Sequence, residues 1–178
     1  MADKDQCGFA VWITGLPASG KSTLARALKA QLAEHGVNAA VLESDVLRRV
    51  LSDGPSYDPQ DRDSFYRAMT YIGALLTEHA VPVIFDATAN RRAYREEARR
   101  QISRFLEVYV ECPLEVCMRR DPKGIYKQAR EGAASNVPGV QAGYEPPQSP
   151  DVLVHGDRDH APDAARRIVA KLGEKNYL

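Results

Sequence analysis

Short apolar runs alternate with longer stretches in which apolar residues recur every three or four positions, from Phe9 to Leu172. Phe9–Thr14 reads as a fully buried strand, and Lys21–His35 as a helix with Leu24, Leu28 and Leu32 on one face. Gly36 ends that helix, as glycine commonly does. Ala39–Leu42 predicts a second strand, followed by Ser44, Asp45 and the amphipathic run Val46–Leu51. Pro55–Pro59 reads as a loop and Asp61–His79 as a longer helix. Val81–Phe85 is the next buried strand, with Pro82 near its start, where a missing amide is tolerated. Arg92–Arg104 predicts a helix in which Glu96 and Glu97 stand three and four residues before Arg99 and Arg100. Phe105–Val110 predicts a strand, Leu114–Arg120 a short helix, Val152–Val154 a last strand and Ala161–Leu172 a closing helix. The intervening Asp121–Pro150 is rich in Gly, Pro and polar residues and longer than most connections, which predicts a functional or mobile segment.

Strands separated by helices imply a parallel sheet, here of about five strands, with helices on both faces. No internal repeat, low-complexity tract or linker breaks the pattern, so residues 1–178 read as one α/β domain. Apolar residues make up 44% and charged residues 27%, ordinary for a globular protein. A formal net charge of zero removes the electrostatic argument for a nucleic-acid or anionic-membrane partner. No apolar run approaches the roughly 20 residues that span a bilayer. The charged start, Met1–Gln6, runs straight into a strand-like segment, so no signal peptide is expected. Cys7, Cys112 and Cys117 are odd in number and lack zinc spacing, which fits reduced thiols and a cytoplasmic location.

The first strand-to-helix connection carries the chemistry. Gly15-Leu16-Pro17-Ala18-Ser19-Gly20-Lys21-Ser22-Thr23 is a complete phosphate-binding loop in the strand–loop–helix context its mechanism needs. Backbone amides at a helix start offer donors to anionic oxygens. The Lys21 ammonium reaches β- and γ-phosphates, and the Ser22 hydroxyl ligates Mg²⁺. The fold expected is therefore a P-loop NTPase or kinase; the loop is specific for a bound nucleotide and not for what its phosphate is used for.

Ligands of an open parallel sheet gather outside the carboxyl ends of its strands. Asp45 follows the second strand and Asp86 ends the third, so both belong near the phosphates. Asp45 suits the orientation or deprotonation of an acceptor hydroxyl and help with the metal; an N-cap of Val46–Leu51 is a compatible role. Asp86 suits a Mg²⁺-linked role. Arg48 and Arg62 stand where an anionic acceptor would be gripped. Arg119 and Arg120, just before the long loop, are placed to swing over the transferring phosphoryl group. For Arg95, Arg99, Arg100 and Arg104 a solvated helix face is the preferred reading.

Cys112–Arg130, with its PLEVC and RDPKGIYKQAR runs, closely resembles a stretch of the adenylylsulfate (APS) kinases, and Tyr144–Pro150 resembles their YEAPENP segment. With the phosphate loop and the Ser44–Arg48 stretch SDVLR, the resemblance spans about Phe9 to Val154. It implies transfer of the γ-phosphoryl of ATP, with Mg²⁺, to the 3′-hydroxyl of adenylylsulfate, giving 3′-phosphoadenylylsulfate. It further implies that Asp45 matches the candidate base of the family's DGD element and Arg48 its substrate-gripping arginine. Arg62 falls in the DR element, and Lys123 lies near the phosphates in a lid spanning Asp121–Tyr144. A homodimer is also implied, since relatives are often dimers.

Departures from that pattern concentrate in the acceptor pocket. DGD is Glu43-Ser44-Asp45 here, and FISP is replaced by Phe85-Asp86-Ala87-Thr88, which excludes the family's phosphoserine at that spot. The asparagine three positions after DR is Phe65, and the two adenine-stacking phenylalanines become Tyr57 and Val137, of which only tyrosine still stacks. Asp86–Asn90, DATAN, looks like the DATN element of other small P-loop kinases. Transfer to a hydroxyl of another nucleotide, a sugar or a small metabolite is the alternative. A nucleotide-dependent switch lacks a guanine-reading Asn-Lys-x-Asp element, and a nucleic-acid end kinase lacks a basic stripe.

Overall fold

A computed structural model describes residues 7–52 and 57–178. Met1–Gln6 and Pro55–Ser56 of the expected loop lie outside the described residues. The chain forms β1 (Ala10–Thr14), α1 (Lys21–Glu34), β2 (Ala40–Glu43), α2 (Ser44–Leu51), α3 (Pro59–Glu78) and β3 (Val83–Asp86), in that order. Then follow α4 (Arg92–Gln101), β4 (Phe105–Glu111), α5 (Leu114–Arg120), α6 (Ile125–Arg130), β5 (Val152–His155) and α7 (Ala161–Glu174). The five strands form one parallel sheet in the order β2-β3-β1-β4-β5. Every expected strand and helix is present, with ends displaced by a few residues, and α6 is an addition inside the stretch expected as loop.

β1 is buried along its whole length because it is the central strand, and its side chains serve two cores in alternation. Val11 and Ile13 face α1 and α7, packing with Leu24, Leu28, Leu32, Ile168 and Leu172. Ala10 and Trp12 face the opposite layer of α3 and α4. There Trp12 stacks on Phe85 with ring centroids 4.4 Å apart, and its indole Nε1 donates to the Ala87 carbonyl at 3.2 Å. Gly73 lets α3 reach the sheet at this point, since a Cβ there would lie 2.1 Å from the Phe85 ring. A third apolar cluster joins Cys112 and Cys117 to Tyr126, Ala129 and Val137, with Leu16 and Ala18 of the phosphate loop against it. The segment after α5 is thus packed onto the loop expected to hold phosphate.

Two expectations are corrected by this packing. β2 runs into α2 without an intervening residue, so Glu43, not Asp45, takes the N-cap position, and Asp45 sits in the first turn. Arg95 is 1% exposed and not on a solvated face. Its Nε donates to Glu107 Oε1 at 2.7 Å, its Nη1 to the Ala89 carbonyl and its Nη2 to the Glu145 carbonyl at 2.7 Å. Arg99 bridges Glu107 and Asp151, and Arg104 donates to the Cys7 and Asn176 carbonyls, so neither is simply solvated. Arg100, paired with Glu97, does fit the solvated reading. Cys112 and Cys117 are buried thiols.

Candidate active site

At the carboxyl end of β1 the chain turns through Gly15, where any Cβ would meet the Val110 carbonyl at 2.5 Å, and re-enters a helix at Gly20, φ 109°. That left-handed value suits glycine and leaves the first amides of α1 pointing outward. Gly156, after β5, closes against the loop from the other side, for a Cβ there would lie 2.0 Å from the Ser19 carbonyl. Ser19 Oγ is buried and finds no hydrogen-bond partner among the described residues.

A cavity of about 690 Å³ opens over this loop. Its floor is Pro17, Ala18, Gly20, Lys21, Ser22 and Thr23, and its walls bring in Asp45, Asp86, Thr88, Arg120 and Lys123. Gly15, Leu16 and Ser19 shape the loop from beneath and do not line the cavity. Lys21 is buried, and its ammonium donates to the Leu16 carbonyl at 2.8 Å. Burial lowers its pKa, with Asp86 and then Asp45 opposing that shift through their negative charge. An anionic phosphate would relieve the same penalty.

Asp45 meets Lys123 across the cavity. The Lys123 ammonium donates to Asp45 Oδ2, a bond that raises the lysine's pKa. Lys123 is brought there by the turn after α5, where Gly124 takes φ 66° and the Asp121 carboxylate accepts from the Lys127 amide. Tyr126, on α6, donates its hydroxyl to the Pro17 carbonyl at 2.9 Å, tying this segment to the phosphate loop. Arg120 donates to the Gly156 carbonyl at 2.9 Å and lines the cavity, whereas Arg119 is exposed and outside it. The two neighbouring arginines therefore part company.

Arg48, Tyr57, Arg62 and Phe65 form a second group, at the junction of α2 and α3. The Arg48 guanidinium lies 3.8 Å from the Phe65 ring centroid and 4.8 Å from that of Tyr57, and donates to Asp61 Oδ2 at 3.0 Å. Phe65 is 6% exposed and presents its face to Arg48. Tyr57 holds φ 57° and is the more exposed of the two rings. Arg62 uses its fork on three segments: Nε donates to the Tyr57 carbonyl at 2.9 Å, Nη1 to Asn90 Oδ1 at 3.0 Å and Nη2 to the Asn136 carbonyl. Val137, next in the chain, is buried among the apolar side chains between α6 and the phosphate loop, and does not face the cavity. Packing against Tyr126 and Ala129 claims its surface.

Hydroxyl and carboxylate oxygens from Ser22, Asp45 and Asp86 are the hard donors suited to Mg²⁺, which needs few protein ligands when phosphates supply the rest. Among the described residues no group of three or more His, Cys, Asp or Glu forms a cage able to hold a metal without such help. The residues fit a metal carried in with a nucleotide.

Sequence reasoning missed the scaffolding behind this site. Thr14 Oγ1 donates to the Thr88 carbonyl at 2.6 Å and so accepts from the Tyr144 hydroxyl at 3.0 Å. Ala89 takes φ 41°, held by the hydrogen bond its N–H donates to Tyr66 Oη at 2.9 Å and by Arg95 at its carbonyl. The alternation of apolar residues carries no trace of such contacts, although the DATAN run does mark the place.

A parallel sheet with a phosphate loop after its first strand, opposed by Asp45 and Asp86 and by the cations Arg120 and Lys123, defines a P-loop kinase. The family model for adenylylsulphate kinase matches residues 7–155, and the chain belongs to that family. An adenylyl-sulfate kinase of Microcystis aeruginosa is 39% identical, with 97% of this chain and 96% of that protein covered. One from Halothermothrix orenii is 37% identical over 98% and 95%. The structure of the Mycobacterium tuberculosis APS kinase CysC in complex with AMPPNP and APS superposes with a TM-score of 0.87 at 33% identity, covering 94% of this chain and 98% of that one.

Proposed function

We propose that this protein transfers the γ-phosphoryl group of Mg·ATP to the 3′-hydroxyl of adenylylsulfate, giving 3′-phosphoadenylylsulfate and ADP. The observation that carries the reading is the meeting of Asp45 and Lys123 over the phosphate loop, which places a carboxylate and a lid cation in one cavity with Lys21. The acceptor oxygen attacks the γ-phosphorus in line, and the bond to the β–γ bridging oxygen breaks. Asp45 accepts or orients the hydroxyl proton, while Lys21 and Arg120 neutralise charge developing on the phosphoryl oxygens. Ser22 and Asp86, with Asp45 nearby, would hold Mg²⁺, which would supply further charge neutralisation. Arg48 and Arg62, with Tyr57 and Phe65 beside them, form the acceptor side; Val137, packed against Tyr126 and Ala129, takes no part in it.

Residues 1–178 act as one catalytic unit in this reading, with about 119–147 as a lid that keeps water from the phosphoryl group. The same reading makes the enzyme cytoplasmic; among the described residues no helix is long and apolar enough to cross a membrane. A homodimer belongs to the same reading; Tyr71 and Leu75, exposed one turn apart on α3, are apolar surface available to a second copy. Sedimentation of the purified protein tests the dimer.

A second reading changes only the acceptor. It is favoured by Arg48, whose guanidinium lies against the rings of Tyr57 and Phe65 and so occupies faces on which an adenine would stack. The deciding experiment mixes purified protein, Mg·ATP and a panel headed by adenylylsulfate, and reads a gained phosphoryl group by mass spectrometry. Product from adenylylsulfate is expected; product from another hydroxyl alone would move the assignment to that acceptor.

A further inference from the structure

Asn90 closes the DATAN run, and it is 6% exposed with both ends of its amide in use. A guanidinium only donates, so the atom facing Arg62 Nη1 at 3.0 Å is the side-chain oxygen. The amide nitrogen then donates to the Gly143 carbonyl at 2.9 Å. The Asn90 backbone carbonyl accepts from the Glu145 amide at 2.8 Å. One buried residue is thus bonded to an arginine of the acceptor side and to the chain that ends the lid. Arg62 itself reaches the lid through the Asn136 carbonyl, where the backbone takes φ 60°.

We propose that Asn90 is a positioning residue that couples acceptor binding to lid closure, because its planar amide holds Arg62 at one end and Gly143 at the other. Rotation or loss of that amide releases both partners together. No water replaces them cheaply at this depth. The two bonds give Asn90 work that a residue without an amide cannot do. The inference rests on the adenylylsulfate reading for its acceptor side and on residues 119–147 acting as a lid.

Two variants separate the two bonds. Asn90→Leu removes both, and the KM for adenylylsulfate rises about tenfold while that for ATP stays within about twofold. Asn90→Asp keeps an acceptor for Arg62 but sets a carboxylate against the Gly143 carbonyl. Its adenylylsulfate KM stays within about threefold of wild type, while amide hydrogen exchange across residues 132–146 accelerates in the ligand-free protein, as it does in Asn90→Leu. A purely structural asparagine would shift both KM values together in both variants. An adenylylsulfate KM left unchanged in Asn90→Leu, or raised equally in Asn90→Asp, overturns the proposal. Should Asn90→Leu fail to fold, Asn90→Asp decides alone, and unaltered exchange across 132–146 overturns the coupling. Wild-type protein inactive on adenylylsulfate would defeat the assigned acceptor, and the exchange measurement would still decide the role of Asn90.

Discussion

Lys123 Nζ and Asp45 Oδ2 are 78 residues apart in sequence and form an ion pair across the mouth of the nucleotide cavity. The lysine side chain is 58% exposed and the aspartate 49%, so solvent screens the pair and it adds little to stability. In the proposed reading the pair matters for turnover, since the carboxylate assigned to the acceptor hydroxyl is the one that Lys123 holds.

Replacing Asp45 with Asn is expected to lower kcat by about 10²–10⁴-fold while ATP still binds, because a carboxamide takes no proton from the hydroxyl. Lys123→Ala is expected to change unfolding free energy by less than ~1 kcal/mol and yet to slow turnover. Steady-state kinetics beside thermal unfolding check both. Near wild-type turnover in Asp45→Asn would remove it from the role of base.

Lys21 carries a pH prediction. Its pKa in the folded, ligand-free protein lies below the ordinary 10.5 because burial disfavours the charged form. Between that lowered value and 10.5 the unfolded chain binds the extra proton, so Lys21 makes stability rise with pH across this window. Bound phosphate favours the ammonium, so ATP affinity falls as pH climbs through the ligand-free pKa, with proton uptake on binding. Calorimetry in buffers of different ionisation enthalpy measures that uptake. Lys21→Arg should lose the pH dependence, and Lys21→Ala should abolish transfer with the fold intact.

On the proposed acceptor side, the contact of Arg48 with Asp61 bears on both recognition and stability. The Arg48 side chain is 6% exposed, and Asp61 at 3.0 Å is its charged partner. Asp61→Ala strands a buried guanidinium, which is expected to cost about 3 kcal/mol. Phe65 and Tyr57 hold the same group by their ring faces, so Phe65→Ala is expected to lose about 3 kcal/mol through the cavity it leaves and to raise the acceptor KM. Denaturant titration and acceptor kinetics on the same preparations test the two effects.

Arg95 is expected to be the most costly of the helix arginines to remove. Arg95→Ala leaves Glu107 short of a partner and frees the Ala89 and Glu145 carbonyls, a loss of about 3–5 kcal/mol. Arg100→Ala, on the exposed side of α4, is expected to change stability by less than ~0.5 kcal/mol. Equal effects in unfolding titrations would contradict the buried assignment of Arg95.

Local sequence determined the architecture because burial leaves a periodic mark. The uninterrupted apolar run at Phe9–Thr14 announces a strand covered on both faces, and the spacing of Leu24, Leu28 and Leu32 announces the helix laid on it. Gly15, Gly20, Lys21 and Ser22 stand close together in the chain, so the phosphate loop was legible from one short stretch, as were the RDPKG and YEPP runs of the lid. Tertiary structure alone decided which arginine of each group does what. Arg119 and Arg120 are neighbours with equal claims in sequence, yet only Arg120 meets the Gly156 carbonyl and lines the cavity. Arg95 and Arg100 lie on one helix, yet one is interior and the other solvated. The joining of Lys123 to Asp45, and of Asn90 to both Arg62 and Gly143, likewise depends on where the parallel sheet brings distant loops together. Such contacts are long-range and polar, made by a few atoms at fixed distances, and hydrophobic periodicity contains no information about them.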